Sequence, residues 1–226
     1  MIYFLYILIG VSAGFFAGMF GIGGGGYIVP LLVTVFAMQS EFPVHDLMHY
    51  ALATTMVSIV FAAFSSMRAH HKKGGVNWPI FKQMFPFMMI GTFGGTFLVR
   101  EISAVYLTIF FALFILLIAY QMYFDNLSYP AKLPLNKKEF SIVGVFIGFI
   151  SSLVSIGGGS LTVPYLKSRE IDLRVAIGTS AALGFCIACA GSLGYLIQGI
   201  SEPIRNACLG LINIPAAFLI AFSSYL

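Results

Sequence analysis

Two short stretches of glycine-rich backbone carry the chemistry open to this sequence. Residues 18–32 read GMFGIGGGGYIVPLL and residues 152–166 read SLVSIGGGSLTVPYL. Seven of the fifteen positions are identical at a constant offset of 134, and Gly14-Phe15 matches Gly148-Phe149 at the same offset. A glycine inside a helix costs about 1 kcal/mol relative to alanine. The run Gly23-Gly24-Gly25-Gly26 therefore breaks a helix, and Gly157-Gly158-Gly159 does the same. A short helix restarts after each break, near Tyr27 and near Leu161. Its first N–H groups have no acceptor within the helix, and together with the helix dipole they favour an anion.

Hydroxyls extend this donor set. Thr54, Thr55, Ser58, Ser160, Thr162, Thr179 and Ser180 are the candidates, and Ala53-Thr54-Thr55 corresponds to Gly178-Thr179-Ser180 in a second repeated element. No Asp, Glu, Lys or Arg falls in the middle of any apolar segment. Such a site suits an anion that must also leave, whereas a permanently held cation would want carboxylates. The candidate substrate-binding set is Gly23, Gly24, Gly25, Gly26, Tyr27, Thr54, Thr55, Gly157, Gly158, Gly159, Ser160, Thr162, Thr179 and Ser180. Simpler roles compete at each position. Isolated glycines such as Gly91, Gly94 and Gly95 let membrane helices pack closely. Pro30 and Pro164 kink or start a helix, and Ser or Thr hydroxyls bond their own helix backbone.

The remaining reactive side chains point to no catalytic group, metal site or cofactor. His70 and His71 stand beside Lys72 and Lys73 in a solvated connector. His45, Asp46 and His49 lie at a segment boundary; they could relay protons or simply be interfacial. Cys186, Cys189 and Cys208 all fall in apolar stretches. An odd number there argues against a disulfide framework. Cys186 and Cys189 share a helical face, which leaves a sulfur relay as an alternative to inert burial.

The elements that position these residues are membrane spans. The chain has 226 residues, 59% hydrophobic and 9% charged, against about 25% charged for a soluble domain. Apolar segments run over 2–38, 48–67, 79–98, 103–124, 139–166, 175–198 and 205–226, and crossing the bilayer takes about 20 such residues. Helix is the only open-ended structure that satisfies its own backbone in lipid. The first and fifth segments are interrupted by the glycine breaks. Met1 to Gly18 lacks a leading basic residue and reads as a retained segment rather than a signal peptide.

Connector charges orient the chain. Residues 68–77 carry Arg68, Lys72 and Lys73 and read as cytoplasmic, as do 125–138 and 167–174; residues 39–47 carry Glu41 and Asp46 and read as external. Corresponding connectors 39–47 and 167–174 thus face opposite sides. The expected fold is an all-α polytopic membrane protein of two inverted repeats, each a glycine-broken helical hairpin followed by spanning helices. Residues 1–124 form the first repeat, 125–138 a cytoplasmic linker and 139–226 the second repeat. The third segments align as Trp78-Pro79-Ile80 with Glu202-Pro203-Ile204, and no counterpart of 103–124 follows in the second half. Inverted halves with paired broken helices are a secondary-transporter arrangement.

The paired G-x-G-G-G pattern, each copy followed by a helix rich in Ala/Gly-Thr-Ser/Thr, resembles the sulfite exporter TauE/SafE family of bacterial and archaeal membrane proteins over almost the whole chain. The resemblance implies a multi-spanning permease for sulfur-containing or other organic anions. Carried over by position, its motif residues are Gly23, Gly24, Gly25, Gly26 and Pro30 with Gly157, Gly158, Gly159, Ser160 and Pro164. Thr55 departs from Ser180, and the second half is one segment short, so a homo-oligomer joins the expected partners.

The expected function is a secondary transporter of a small anion, a sulfur oxyanion or organosulfonate, working by alternating access at a midplane site in the cell (inner) membrane, multi-pass. The alternatives are a passive anion channel and a membrane sulfur-relay enzyme using Cys186 and Cys189. No phosphate-binding G-x-x-x-x-G-K-[ST] motif is present, and the basic residues form orientation charge rather than a nucleic-acid footprint. Partners are thus the anion and the lipid bilayer, with no nucleic acid.

Overall fold

A computed structural model describes residues 2–20, 24–39, 42–123, 137–200 and 207–224. The described helices are α1 (Ile2–Phe20), α2 (Gly25–Ala37), α3 (Leu47–Lys72), α4 (Trp78–Glu101), α5 (Ala104–Tyr123), α6 (Lys137–Val154), α7 (Gly159–Lys167), α8 (Leu173–Gly199) and α9 (Ile214–Ser223). A small antiparallel hairpin of β1 (Cys208–Leu209) and β2 (Ile212–Asn213) precedes α9. Among the described residues three helices, in α3, α5 and α8, are long and apolar enough to cross a membrane. α3 and α8 lie largely inside the protein, whereas α5 turns most of its surface outward.

Both interrupted segments break at their glycines. α1 ends at Phe20 and α2 begins at Gly25, with residues 21–23 outside the described ones; α6 ends at Val154 and α7 begins at Gly159. The two limbs of each hairpin are tied at their open ends. Gln39 Nε2 donates to Tyr6 Oη at 3.0 Å in the first. In the second, Glu139 pairs with Arg169, whose guanidinium lies 5.6 Å from the centre of the Tyr165 ring.

The central helices run antiparallel. Arg174 at the start of α8 donates through Nη2 to the Lys73 carbonyl, just past the end of α3, at 3.0 Å. At the opposite face Arg100, near the end of α4, donates through Nη1 to the Gln198 carbonyl near the end of α8 at 3.2 Å. His49, at the start of α3, reaches the carbonyls of Val99 and Ile102 on that same face.

The third segment of the second half begins later than the sequence alignment expects. Residues 201–206, with Glu202-Pro203-Ile204, lie outside the described residues; the helix starts at Ile214 instead of about 205. The cause is a matched start signal. Asn77 accepts from the Ile80 amide at 3.2 Å, with Pro79 in the first turn of α4. Asn213 accepts from the Ala216 amide at 2.9 Å, with Pro215 in the first turn of α9. Both are Asn caps followed by the proline that a first turn tolerates. Asn77-Trp78-Pro79 therefore corresponds to Asn213-Ile214-Pro215.

With that alignment the packing exchanges between the halves. α4 packs along α6 and α1 along α9; α2 and α7 pack on α3 and α8 respectively. A Cβ on Gly10 would lie 2.6 Å from the Ile220 carbonyl oxygen, and one on Gly144 would lie 3.2 Å from the Met84 carbonyl oxygen. Small residues thus bring the first helix of each half, α1 or α6, onto the backbone of the fourth helix of the other, α9 or α4. The polar contacts exchange too. The Asn213 amide donates to Thr54 Oγ1 at 3.1 Å, and the Asn77 amide donates to Thr179 Oγ1 at 2.9 Å.

Orphaning a buried amide costs about 1–3 kcal/mol. Thr54→Val and Thr179→Val should each lower the melting temperature of the detergent-solubilised protein, while Thr→Ser at either site should be milder. The loss should be larger at Thr54, whose partner amide is the more buried.

Candidate functional site

The two glycine breaks meet. Gly25 packs on the carbonyl of Ser155 so closely that a Cβ there would collide with it, and the same Cβ would lie 3.1 Å from the Ile156 Cα. A Cβ on Gly26 would come within 3.6 Å of Ile156 Cδ1 and 3.2 Å of Ile115 Cδ1 on α5. The start of α2 therefore abuts the loop that starts α7. Gly23 lies outside the described residues.

The second tip is built from two left-handed residues. Ser155 has φ 49° and Gly158 has φ 72°. Ser155 is held there by its hydroxyl, which donates to the Leu52 carbonyl of α3 at 2.9 Å. Gly158 is required by geometry and space alike, since a Cβ would lie 2.6 Å from Ile187 Cδ1 of α8. The Gly158 carbonyl accepts from the amides of Leu161 at 3.2 Å and Thr162 at 2.8 Å. In the first tip the Gly24 carbonyl accepts from Tyr27 at 3.1 Å and Ile28 at 2.9 Å. Among the described residues no backbone acceptor serves the amides of Gly25, Gly26, Gly159 or Ser160, the opening residues of the two short helices.

The helices that clamp the tips also carry the candidate hydroxyls. The Gly157 carbonyl packs against Gly184 of α8, one turn beyond Ser180, while Ser155 is anchored to Leu52 of α3, one turn before Thr55. The hydroxyls divide into two groups. Thr54 and Thr179 accept from the Asn213 and Asn77 amides, and Ser58 donates to the Thr54 carbonyl at 2.8 Å. Thr55, Ser160, Thr162 and Ser180 are buried, with no hydrogen-bond partner for their hydroxyl oxygens among the described residues. A buried hydroxyl without a partner is costly. Among the described residues Tyr27 is the exposed member of the candidate set, at 38% of its surface.

No side chain that carries a fixed charge is buried among the described residues, and no group of His, Cys, Asp and Glu there could hold a metal ion. Cys186, Cys189 and Cys208 form no disulfide, and Cys208 Sγ accepts from Asn213 Nδ2 at 3.7 Å. An apolar cavity of about 350 Å³ lies between α3, α8 and α9, walled by Val57, Phe61, Leu196 and Phe218 among others; no tip residue lines it. Isolated glycines behave as packing positions where they touch anything: Gly91 meets the Val145 carbonyl and Gly95 meets Ser152, whereas a Cβ on Gly94 would find open space.

Sequence reasoning missed Ser155, Asn77 and Asn213. The shared Asn-x-Pro helix start was the signal that could have found the last two; nothing in the sequence marks Ser155 as left-handed.

The site prediction is one of contrast. Gly158→Ala and Gly25→Ala should lower thermal stability, the first by about 1–2 kcal/mol from the left-handed backbone alone. Gly94→Ala should be neutral or stabilising, because alanine is the better helix former by about 1 kcal/mol. Melting curves of the three variants in one detergent check this.

The pattern of the sulfite exporter TauE/SafE family matches residues 6–226. A probable membrane transporter protein of Haemophilus influenzae is 36% identical, over 98% of this chain and 84% of its own length. One from Methanocaldococcus jannaschii is 27% identical over 96% and 80%, and YdhB of Bacillus subtilis, also a probable membrane transporter protein, is 25% identical over 88% and 80%. No solved structure matches.

Proposed function

We propose that this chain, which belongs to the sulfite exporter TauE/SafE family, is a secondary carrier of a small anion bound between its two glycine tips. That it is a membrane transporter follows from the family and its relatives. The class of anion is our reading: a sulfur oxyanion or an organosulfonate, as the family description suggests.

One observation carries the reading. Of the five buried hydroxyls without a partner among the described residues, four, those of Thr55, Ser160, Thr162 and Ser180, belong to the tips or to the parts of α3 and α8 that clamp them; the fifth, Ser192, lines the apolar cavity. They are joined by the amides of Gly25, Gly26, Gly159 and Ser160, which have no backbone acceptor among the described residues. An oxyanion offers several acceptor lone pairs and no obligatory donor, so it complements a site made of N–H and O–H groups. Two helix N-termini add partial positive charge without a fixed cation. The guest is then held by dipoles and can be released.

The mechanism we infer is alternating access. Residues 1–124 and 139–226 act as inverted halves joined through 125–138, and the cell membrane is crossed several times. Antiparallel α3 and α8, together with packing that exchanges between the halves, support this. The Lys- and Arg-bearing ends near Lys73 and Arg174 face the cytoplasm by the positive-inside rule. Rocking one half against the other parts the tips toward one side at a time. Irregular backbone is tolerated at that depth because it is enclosed by protein.

Reconstituted protein should exchange labelled sulfite or a small sulfonate across liposome membranes. Ser160→Ala and Thr55→Val should each raise the half-saturating concentration about tenfold or more, since a hydrogen bond to a charged group contributes about 1.5–3 kcal/mol. Flux that is absent for every anion tested, from a folded sample, would overturn the reading.

A further inference from the structure

The candidates outside the anion site are the apolar cavity beside α9, the thiol pair on α8, the Glu139–Arg169–Tyr165 cluster, the buried amide of Gln198, and the acidic and imidazole groups at the start of α3. The last leads from an exposed imidazole through a carboxylate to a buried imidazole.

His49 is buried, with 10% of its side chain exposed. Its Nε2 lies 3.1 Å from the Val99 carbonyl oxygen and 3.1 Å from that of Ile102. Carbonyl oxygens only accept, so Nε2 carries a proton. The neutral ring therefore presents a bare lone pair at Nδ1, and Nδ1 has no hydrogen-bond partner among the described residues. Facing it at 3.9 Å is Asp46 Oδ1. Asp46 precedes α3 at the capping position, yet its side chain makes no capping bond. Its other oxygen, Oδ2, lies 3.3 Å from His45 Nε2. Exposure falls along the row, from 81% for the His45 side chain to 39% for Asp46 and 10% for His49. These groups form a step-by-step path from solvent to a buried base.

We propose that His45, Asp46 and His49 form a proton path, and that His49 Nδ1 is the binding site of a coupling proton. A proton leaves solvent, passes from His45 Nε2 to an Asp46 oxygen and then to His49 Nδ1. The imidazole becomes an imidazolium paired with the Asp46 carboxylate, and its Nε2–H bonds to α4 persist. Unloading returns the proton along the same groups. Among the described residues, the carbonyls that His49 reaches flank two charged groups at the end of α4: Arg100, which donates to the Gln198 carbonyl, and Glu101. His49 lies on the helix that carries Thr54 and Thr55, and it ties that helix to α4. Loading a positive charge there favours an anion bound further along α3, and by linkage the bound anion favours the proton. This inference rests on the anion-carrier reading, but one arm of its test does not.

The transport arm uses the full chain in liposomes with a trapped pH dye and labelled sulfite outside. Wild type should acidify the lumen as sulfite enters and should accumulate sulfite when the outside is more acidic. His49→Gln keeps an N–H for the α4 carbonyls but cannot titrate. It should retain sulfite exchange at equal pH and lose at least tenfold of the pH-driven accumulation. Asp46→Asn should weaken accumulation in the same direction. Equal-pH exchange without proton movement in wild type, or full pH-driven accumulation in His49→Gln, would overturn the proton site while leaving the carrier reading intact. The second arm needs no substrate: nitrogen-15 spectra of labelled histidine in lipid nanodiscs. The His49 signal, assigned by its loss in His49→Gln, should show an Nε2–H ring in mildly alkaline medium and a doubly protonated ring in mildly acidic medium. A ring that stays in one neutral tautomer throughout would overturn the proposal.

Discussion

A backbone N–H buried without an acceptor is the constraint on which the rest of this structure depends. Ordinary membrane helices avoid it by bonding every amide internally. Here two helices are broken inside the protein, and each break starts a short helix whose first amides find no backbone acceptor among the described residues. Nearly every other feature bears on those two breaks. α3 and α8 clamp them, Ser155 and Gly158 supply the left-handed backbone that turns the second one, and Gly25 lets the first approach it to contact. The outer helices are drawn in by small residues, so that each half leans on the backbone of the other.

This arrangement explains a division among hydroxyls that looked equivalent. Thr54 and Thr179 occupy matched places and serve as acceptors for the amides that start α9 and α4. They secure the frame. Their neighbours Thr55 and Ser180 are one residue further along the same helices, turned by about 100°, and have no partner among the described residues. Adjacent positions on one helix thus separate a structural bond from a group free to meet a guest.

Much of this was legible in the sequence, for a physical reason. A repeated glycine run is a backbone event, and backbone events survive without knowledge of tertiary contacts. The breaks, the central place of the two Thr-bearing helices and the lack of buried fixed charge could all be read in this way. What could not be read was set by contacts between distant residues. The helix start at Ile214 depends on Asn213 and Pro215 acting together, about ten residues beyond the Glu202-Pro203-Ile204 match. The left-handed Ser155 depends on a carbonyl 103 residues away. Tyr27 sits beside the break in sequence, yet the helical turn that begins there carries its ring outward.

The most direct test is crystallographic. Selenite has the shape and charge of sulfite and scatters anomalously, so crystals soaked in it report where a small oxyanion rests. The account predicts a selenium peak within hydrogen-bonding distance of amides from both short helices, Gly25 or Gly26 on one side and Gly159 or Ser160 on the other. A peak confined to the Lys- and Arg-bearing surface, with nothing between the tips in a well-occupied soak, would contradict it.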